Sequence, residues 1–185
     1  MRTTILKTDP RLLTSELFRE LGRLDPSERR IRDLLRAGAG PNAVDEAGCT
    51  PLHVAADGEK SKIVALLLRS GSDPNARTKS GWTPLHQAVP YDDDSVRLLL
   101  RSGANPNAAN HLGETPLHVA MASRSRSVER LIAAGADPTI ADAEGRLPED
   151  RAEFDDDRDA LRAIRESREL AREARSGRAS RRCLL

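Results

Sequence analysis

The chain has very few aromatic residues: one Trp, one Tyr and two Phe among 185 positions, or 2%. A core built around large rings is excluded, and the 38% hydrophobic content has to pack through aliphatic and Ala contacts. Cysteine is scarce too. Cys49 and Cys183 have no second Cys or His at ligand spacing near them, which argues against a disulfide framework and a zinc site. An excess of one charge is also missing, since 30 Lys+Arg face 29 Asp+Glu for a net +1. The molecule as a whole therefore has no electrostatic bias toward nucleic acid or an anionic membrane. No run approaches the ~18 apolar residues of a membrane span. The start, Met1-Arg2-Thr3-Thr4-Ile5-Leu6-Lys7, lacks the apolar centre of a secretion signal, so the expected compartment is cytoplasmic. Arg182-Cys183-Leu184-Leu185 holds its cysteine third from the end, whereas a prenylation box needs it fourth. Catalytic signatures are absent as well. No Gly-rich phosphate loop, G-x-S-x-G elbow or Cys/His nucleophile pattern occurs, and neither an enzyme nor a cofactor is expected.

What is present is a tetrapeptide said three times: Thr50-Pro51-Leu52-His53, Thr83-Pro84-Leu85-His86 and Thr115-Pro116-Leu117-His118. The starts lie 83 − 50 = 33 and 115 − 83 = 32 residues apart, the period of a helical repeat. Each follows a glycine by two residues (Gly48, Gly81, Gly113), and an aliphatic run after it ends in another glycine (Gly71, Gly103, Gly135). From the glycine after one run to the glycine before the next Thr-Pro the step is always ten: 38 to 48, 71 to 81, 103 to 113, 135 to 145. Loops between units are thus expected to hold their length.

Asp45 to Ala76 resembles an ankyrin repeat almost end to end, and Gly81 to Ala108 and Gly113 to Ile140 keep the pattern. Gly145-Arg146-Leu147-Pro148 holds the frame but loses Thr and His, as a capping repeat would, and Ile31 to Ala43 is similar to the back half of an opening repeat. The resemblance implies an all-α, ankyrin-repeat solenoid of stacked helix-turn-helix units with β-hairpin-like loops and helical caps. Its organisation reads as a flexible lead (1–8), an N-terminal cap with a partial first repeat (9–44) and three full repeats (45–77, 78–109, 110–141). A C-terminal capping repeat with a solvent-exposed helix (142–175) and a basic disordered tail (176–185) complete it.

Within that frame, Asp9-Pro10 offers a cap with proline at the first helical position, and Leu13, Leu17 and Leu21 mark one face of a helix ending near Gly22. Asp25 repeats the device with Glu28 three residues on, ahead of Ile31, Leu34 and Leu35. Thr-Pro opens the first helix of each full repeat, glycine ends the second, and Asp73-Pro74-Asn75, Asn105-Pro106-Asn107 and Asp137-Pro138-Thr139 supply turn chemistry. Near the end, 149–154 reads as a short capping helix containing Phe154, and Asp155-Asp156-Asp157 reads as the start of another. Leu161 and Ile164 then face the stack, and 165–175 projects into solvent.

His53, His86 and His118 share one repeat position. Layers packed roughly 10 Å apart are too far separated for them to share an ion, and the resemblance implies that each ties a hairpin loop to its helix. Asp92-Asp93-Asp94 lacks the alternate-position layout of a calcium loop and reads as helix-dipole compensation. Trp82 stands where the other units carry Cys49, Glu114 and Arg146. A core site would not accept all four, so Trp82 is expected to be exposed. Trp82 and Tyr91 either anchor a partner patch or pack incidentally on neighbours. The resemblance implies a concave partner-binding surface of hairpin tips and first helices, for which the candidates are Glu46, Cys49, Arg77, Lys79, Trp82, Tyr91, His111, Leu112 and Glu114. The expected partner is another protein or a peptide, engaged by a monomeric adaptor or inhibitor. A rival reading is nucleic-acid or acidic-surface association through residues 158–185, where nine Arg meet four acids. A third is an effector- or immunity-type interaction protein of the kind bacteria use.

Overall fold

The computed structural model describes residues 9–123, 125–152 and 158–175. The 1–8 lead, Phe154, the Asp155-Asp156-Asp157 helix start and the 176–185 tail with Cys183 lie outside the described residues. The chain forms two compact units, one through Ala104 and one from Asn105 onward. Among the described residues there is no β-strand, and the regular structure is helical.

The first unit contains α1 (Pro10–Leu21), α2 (Glu28–Ala37), α3 (Pro51–Ala56), α4 (Ser61–Arg69), α5 (Pro84–Ala88) and α6 (Asp93–Arg101). Asp9 caps α1 by accepting the Arg11 N–H, and Leu13, Leu17 and Leu21 line its buried face. The start of α2 differs from the sequence expectation. Ser27, not Asp25, is the cap: its hydroxyl accepts the Arg30 N–H, while its own N–H donates to Glu20 Oε1 at 2.9 Å. Glu28 is consequently the first helical residue, and it pairs with Arg32 one turn on.

The helices then stack in pairs. α1 packs on α2 and α3, α3 on α4 and α5, α4 on α2 and α6, and α5 on α6. Leu52, Leu67, Leu85 and Leu99 are fully buried between them, with Ala55 and Ala88 keeping the layers close. Small and aliphatic side chains thus do the work that aromatics cannot do in this composition.

The second unit contains α7 (Pro116–Ala122), α8 (Val128–Ala133), a 3-10 turn (Pro148–Arg151) and α9 (Arg158–Arg175). Leu117, Met121, Leu131 and Ile164 form its core. One expectation needs correction here. Residues 149–151 belong to a 3-10 turn, in which Leu147 supplies no hydroxyl cap and the carboxylate of Asp150 closes the turn instead. α9 packs on α8, and its 165–175 part is mostly exposed, with Arg168 tied to Glu149 in the 3-10 turn.

Candidate functional site: hairpin loops held from beneath

At the start of α3, Pro51 takes the position where a missing N–H costs nothing, and Thr50 Oγ1 accepts the His53 N–H at 3.4 Å. In return the Thr50 N–H donates to His53 Nδ1 at 3.1 Å. This is a capping box in which imidazole replaces the usual Glu or Gln. A main-chain N–H can only donate, so Nδ1 is the acceptor. Nε2 therefore carries the proton, which it donates to the carbonyl of Trp82 at 3.1 Å. His53 is 1% exposed, and burial holds its pKa below the ordinary imidazole value. The Trp82 carbonyl and the charge of Asp45 offset this only in part.

The same lock recurs. Thr83 N–H donates to His86 Nδ1 at 3.1 Å, and Thr115 N–H to His118 Nδ1 at 3.1 Å. His118 Nε2 donates to the Arg146 carbonyl at 3.1 Å, and burial lowers the pKa of His118 as well. In the capping repeat Asp150 replaces His, its carboxylate accepting the Leu147 N–H at 2.8 Å.

Each loop hairpin is braced by its own first residue. Asp45 Oδ1 accepts the N–H groups of Ala47 (2.9 Å) and Cys49 (2.8 Å), and Asn110 Oδ1 those of Leu112 (2.8 Å) and Glu114 (3.0 Å). Asp142 Oδ1 accepts those of Glu144 and Arg146, both at 2.9 Å. Thr78 plays the part with a hydroxyl, accepting the Trp82 N–H at 3.1 Å. Adjacent tips join through the main chain: Lys79 N–H to Ala47 O in the first unit and Ala143 N–H to Leu112 O in the second, each 2.9 Å. Gly48 (φ +80°) and Gly113 (φ +76°) sit at these junctions, where a side chain would meet the Lys79 nitrogen at 2.9 Å or the Ala143 nitrogen at 2.6 Å.

A second set of ties was missed in the sequence reading. Asn42 Nδ2 donates to the Gly71 carbonyl, Asn75 Nδ2 to that of Gly103 and Asn107 Nδ2 to that of Gly135, each at 2.9 Å. Asn42 and Asn107 also accept, from Asp73 N–H (2.8 Å) and Asp137 N–H (2.7 Å). The signal was the recurrence of Pro-Asn at 42, 75 and 107, giving way to Pro138-Thr139 in the last unit.

The nine candidate partner-binding residues separate into two groups. Glu46, Arg77, Lys79, Tyr91, His111 and Leu112 are exposed, Tyr91 at 55% and Leu112 at 63%. Cys49, Trp82 and Glu114 are half-buried, contrary to the exposure expected for Trp82. Its indole lies against the His86 ring, centroids 5.5 Å apart and planes tilted by 47°. Glu114 is held internally, accepting from Asn110 Nδ2 (2.8 Å) and Arg151 (2.5 Å). Arg151 also reaches Asp142 at 2.9 Å, and Arg146 reaches it at 3.0 Å. Burial raises the pKa of Asp142, but hydrogen bonds from the Arg146 and Glu144 main chain and from both guanidinium groups outweigh it. The carboxyl is held well below the usual carboxylate range. Burial, with Asp45 and Asp57 nearby, pushes the Cys49 thiol up, so the thiolate nucleophile is disfavoured. Among the described residues no group of His, Cys, Asp and Glu is placed to hold a metal ion.

Helix pairs repeated every 32 or 33 residues, each locked through Thr-Pro-x-His and joined to the next by a ten-residue hairpin loop, define a helical repeat protein. The chain belongs to the ankyrin repeat family: a three-copy ankyrin repeat model matches residues 27–110, and a single ankyrin repeat model matches 112–143. No curated protein matches the chain. Ankyrin repeats are generally protein–protein interaction modules and are typically non-catalytic. No described helix is long and apolar enough to cross a membrane.

Proposed function

We propose that this chain is a non-catalytic interaction module that grips a partner protein or peptide through its hairpin tips and the ends of its first helices. It acts as a cytoplasmic, monomeric adaptor or inhibitor. One contrast carries the reading. The residues that brace each hairpin are fixed in role and mostly buried, whereas those at the tips are exposed and differ from unit to unit: Glu46-Ala47, Lys79-Ser80, His111-Leu112, Ala143-Glu144. A scaffold that spends its hydrogen bonds inward and varies its outward side chains is pre-organised for recognition, and pre-organisation cuts the entropic cost of binding. In the first unit Lys79 and Tyr91 flank α5 and offer a cationic and an amphipathic anchor, the residue types suited to a mixed-charge partner.

The arginine-rich C-terminal reading is weaker on the described residues, because Arg162 and Arg168 of α9 are committed to Glu166 and Glu149. The test is capture from native extract by the intact protein and by an Arg77→Glu, Lys79→Glu, Tyr91→Ala variant. Partners should be lost while far-UV helicity is retained; an identical partner set with both proteins would refute the assignment. Trp82 is left out of the variant because its loss would disturb the His86 ring on which it rests.

A further inference from the structure

The second helices of the first unit end alike, in Leu-Leu-Arg at Arg36, Arg69 and Arg101. The arginines are 69 − 36 = 33 and 101 − 69 = 32 residues apart, so they occupy one equivalent position on α2, α4 and α6. α2 packs on α4 and α4 on α6, which sets one guanidinium on each successive layer. All three are exposed, and among the described residues no carboxylate pairs with any of them, unlike Arg32 with Glu28 or Arg97 with Asp94. Between the first two lies an open groove of about 410 Å³, lined by Arg32, Arg36 and Arg69 together with Leu35 and Leu66 and by no acidic residue. A helix dipole favours a basic residue in the last turn, but a lysine would meet that need equally; three arginines in a column offer planar forks suited to carboxylates.

We propose that this column binds an acidic peptide segment in the polyproline II conformation, with Glu or Asp at every third residue, one carboxylate per helix layer. The argument is one of spacing. Packed helices lie roughly 8–10 Å apart. A polyproline II chain returns to the same side every three residues with a rise of about 9.3 Å, so its carboxylates keep step with the arginines. A β-strand repeats its side every two residues, roughly 6.7 Å, and falls out of step within two layers. A duplex strand carries a phosphate about every 3.4 Å of helix axis and would leave most of its charge unanswered, with no aromatic in the groove to stack bases of a single strand. The chain's own 176–185 sequence holds Arg178, Arg181 and Arg182 and no acidic side chain, so its composition does not supply the carboxylates that the column calls for. Leu35 and Leu66 supply an apolar lining for the residues between the acids, proline rings included.

The experiment is fluorescence anisotropy of the full chain with three labelled probes. These are a nine-residue (Glu-Pro-Pro)₃ peptide, an isomer with its three Glu consecutive, and a single-stranded oligonucleotide of equal charge. The period-three peptide is expected to bind at least about tenfold tighter than its isomer, and Arg69→Glu should erase that advantage while Lys62→Glu, exposed on the same helix, leaves it within about twofold. If far-UV dichroism shows that Arg69→Glu has lost helicity, Arg69→Gln replaces it with the same expectation. Equal affinity for the two isomers, an oligonucleotide that binds as well as the period-three peptide, or no saturable binding up to about 1 mM would overturn the proposal. So would equal losses from Lys62→Glu and Arg69→Glu.

Discussion

The imidazole of His53 donates its Nε2 proton to the main-chain carbonyl of Trp82, 29 residues further along the chain and 3.1 Å away. A side chain in one repeat thus closes the loop of the next, while its other nitrogen closes the cap of its own helix. His53→Ala strands the Thr50 N–H and the Trp82 carbonyl and leaves a void at a fully buried site. The expected cost is about 2–4 kcal/mol, read as a lower urea midpoint.

The locks also set a pH dependence. His53 and His118 have folded pKa values below the 6.5 of an unperturbed imidazole, so below about 6.5 the unfolded chain binds protons that the folded chain refuses. Their stabilisation is complete above 6.5 and is lost as pH falls toward the folded values. Urea midpoints should drop between pH 7.5 and pH 5, and the slope should shrink in a His53→Gln, His118→Gln variant compared at equal ionic strength.

Gly113 and Gly135 separate two costs of a positive φ. Both are left-handed, at +76° and +91°, but a Cβ on Gly135 meets nothing within 4 Å, whereas one on Gly113 meets the Ala143 nitrogen at 2.6 Å. Gly135→Ala should cost roughly 1–2 kcal/mol from strain alone. Gly113→Ala should cost at least about 1 kcal/mol more, because the joined tips must part.

The repeat frame was legible because it is written in local chemistry. Thr-Pro at a helix start, glycine after its end and loops of constant length each have a single-residue cause. What misled was the position held by Cys49, Trp82, Glu114 and Arg146. Variation in polarity suggested exposure, yet the site is half-buried in all four, and the charged members are accommodated by pairing among Glu114, Asp142, Arg146 and Arg151. Those partners lie up to 37 residues apart and share no periodic signature. The cap of α2 was misplaced for a different reason: two caps stood within three residues, and the choice fell to Glu20, whose carboxylate fixes the Ser27 N–H.

The Asn ladder carries its own expectation. Asn107→Ala removes one bond to Gly135 and one from Asp137, both partly open to solvent, and should cost about 1–2 kcal/mol by chemical denaturation. Asn107→Asp, which keeps the acceptor and loses the donor, should fall between the wild type and Ala.

The ion cluster of the second unit should behave unlike the surface pairs. Arg151→Ala removes the guanidinium shared by Glu114 and Asp142 and should lower Tm by several degrees, since it leaves a buried carboxylate (Asp142) and a half-buried one (Glu114) short of a partner. Arg162→Ala, which breaks a solvent-exposed pair with Glu166, should leave Tm nearly unchanged.

Hydrogen–deuterium exchange of the chain bound to its captured partner, compared with the free chain, tests recognition by the hairpin tips most directly. Protection should gather at 45–49, 77–82 and 110–114 and around Tyr91, with the second helices 61–69 and 93–101 unaffected. Protection confined to those second helices, or absent from every hairpin, would contradict it.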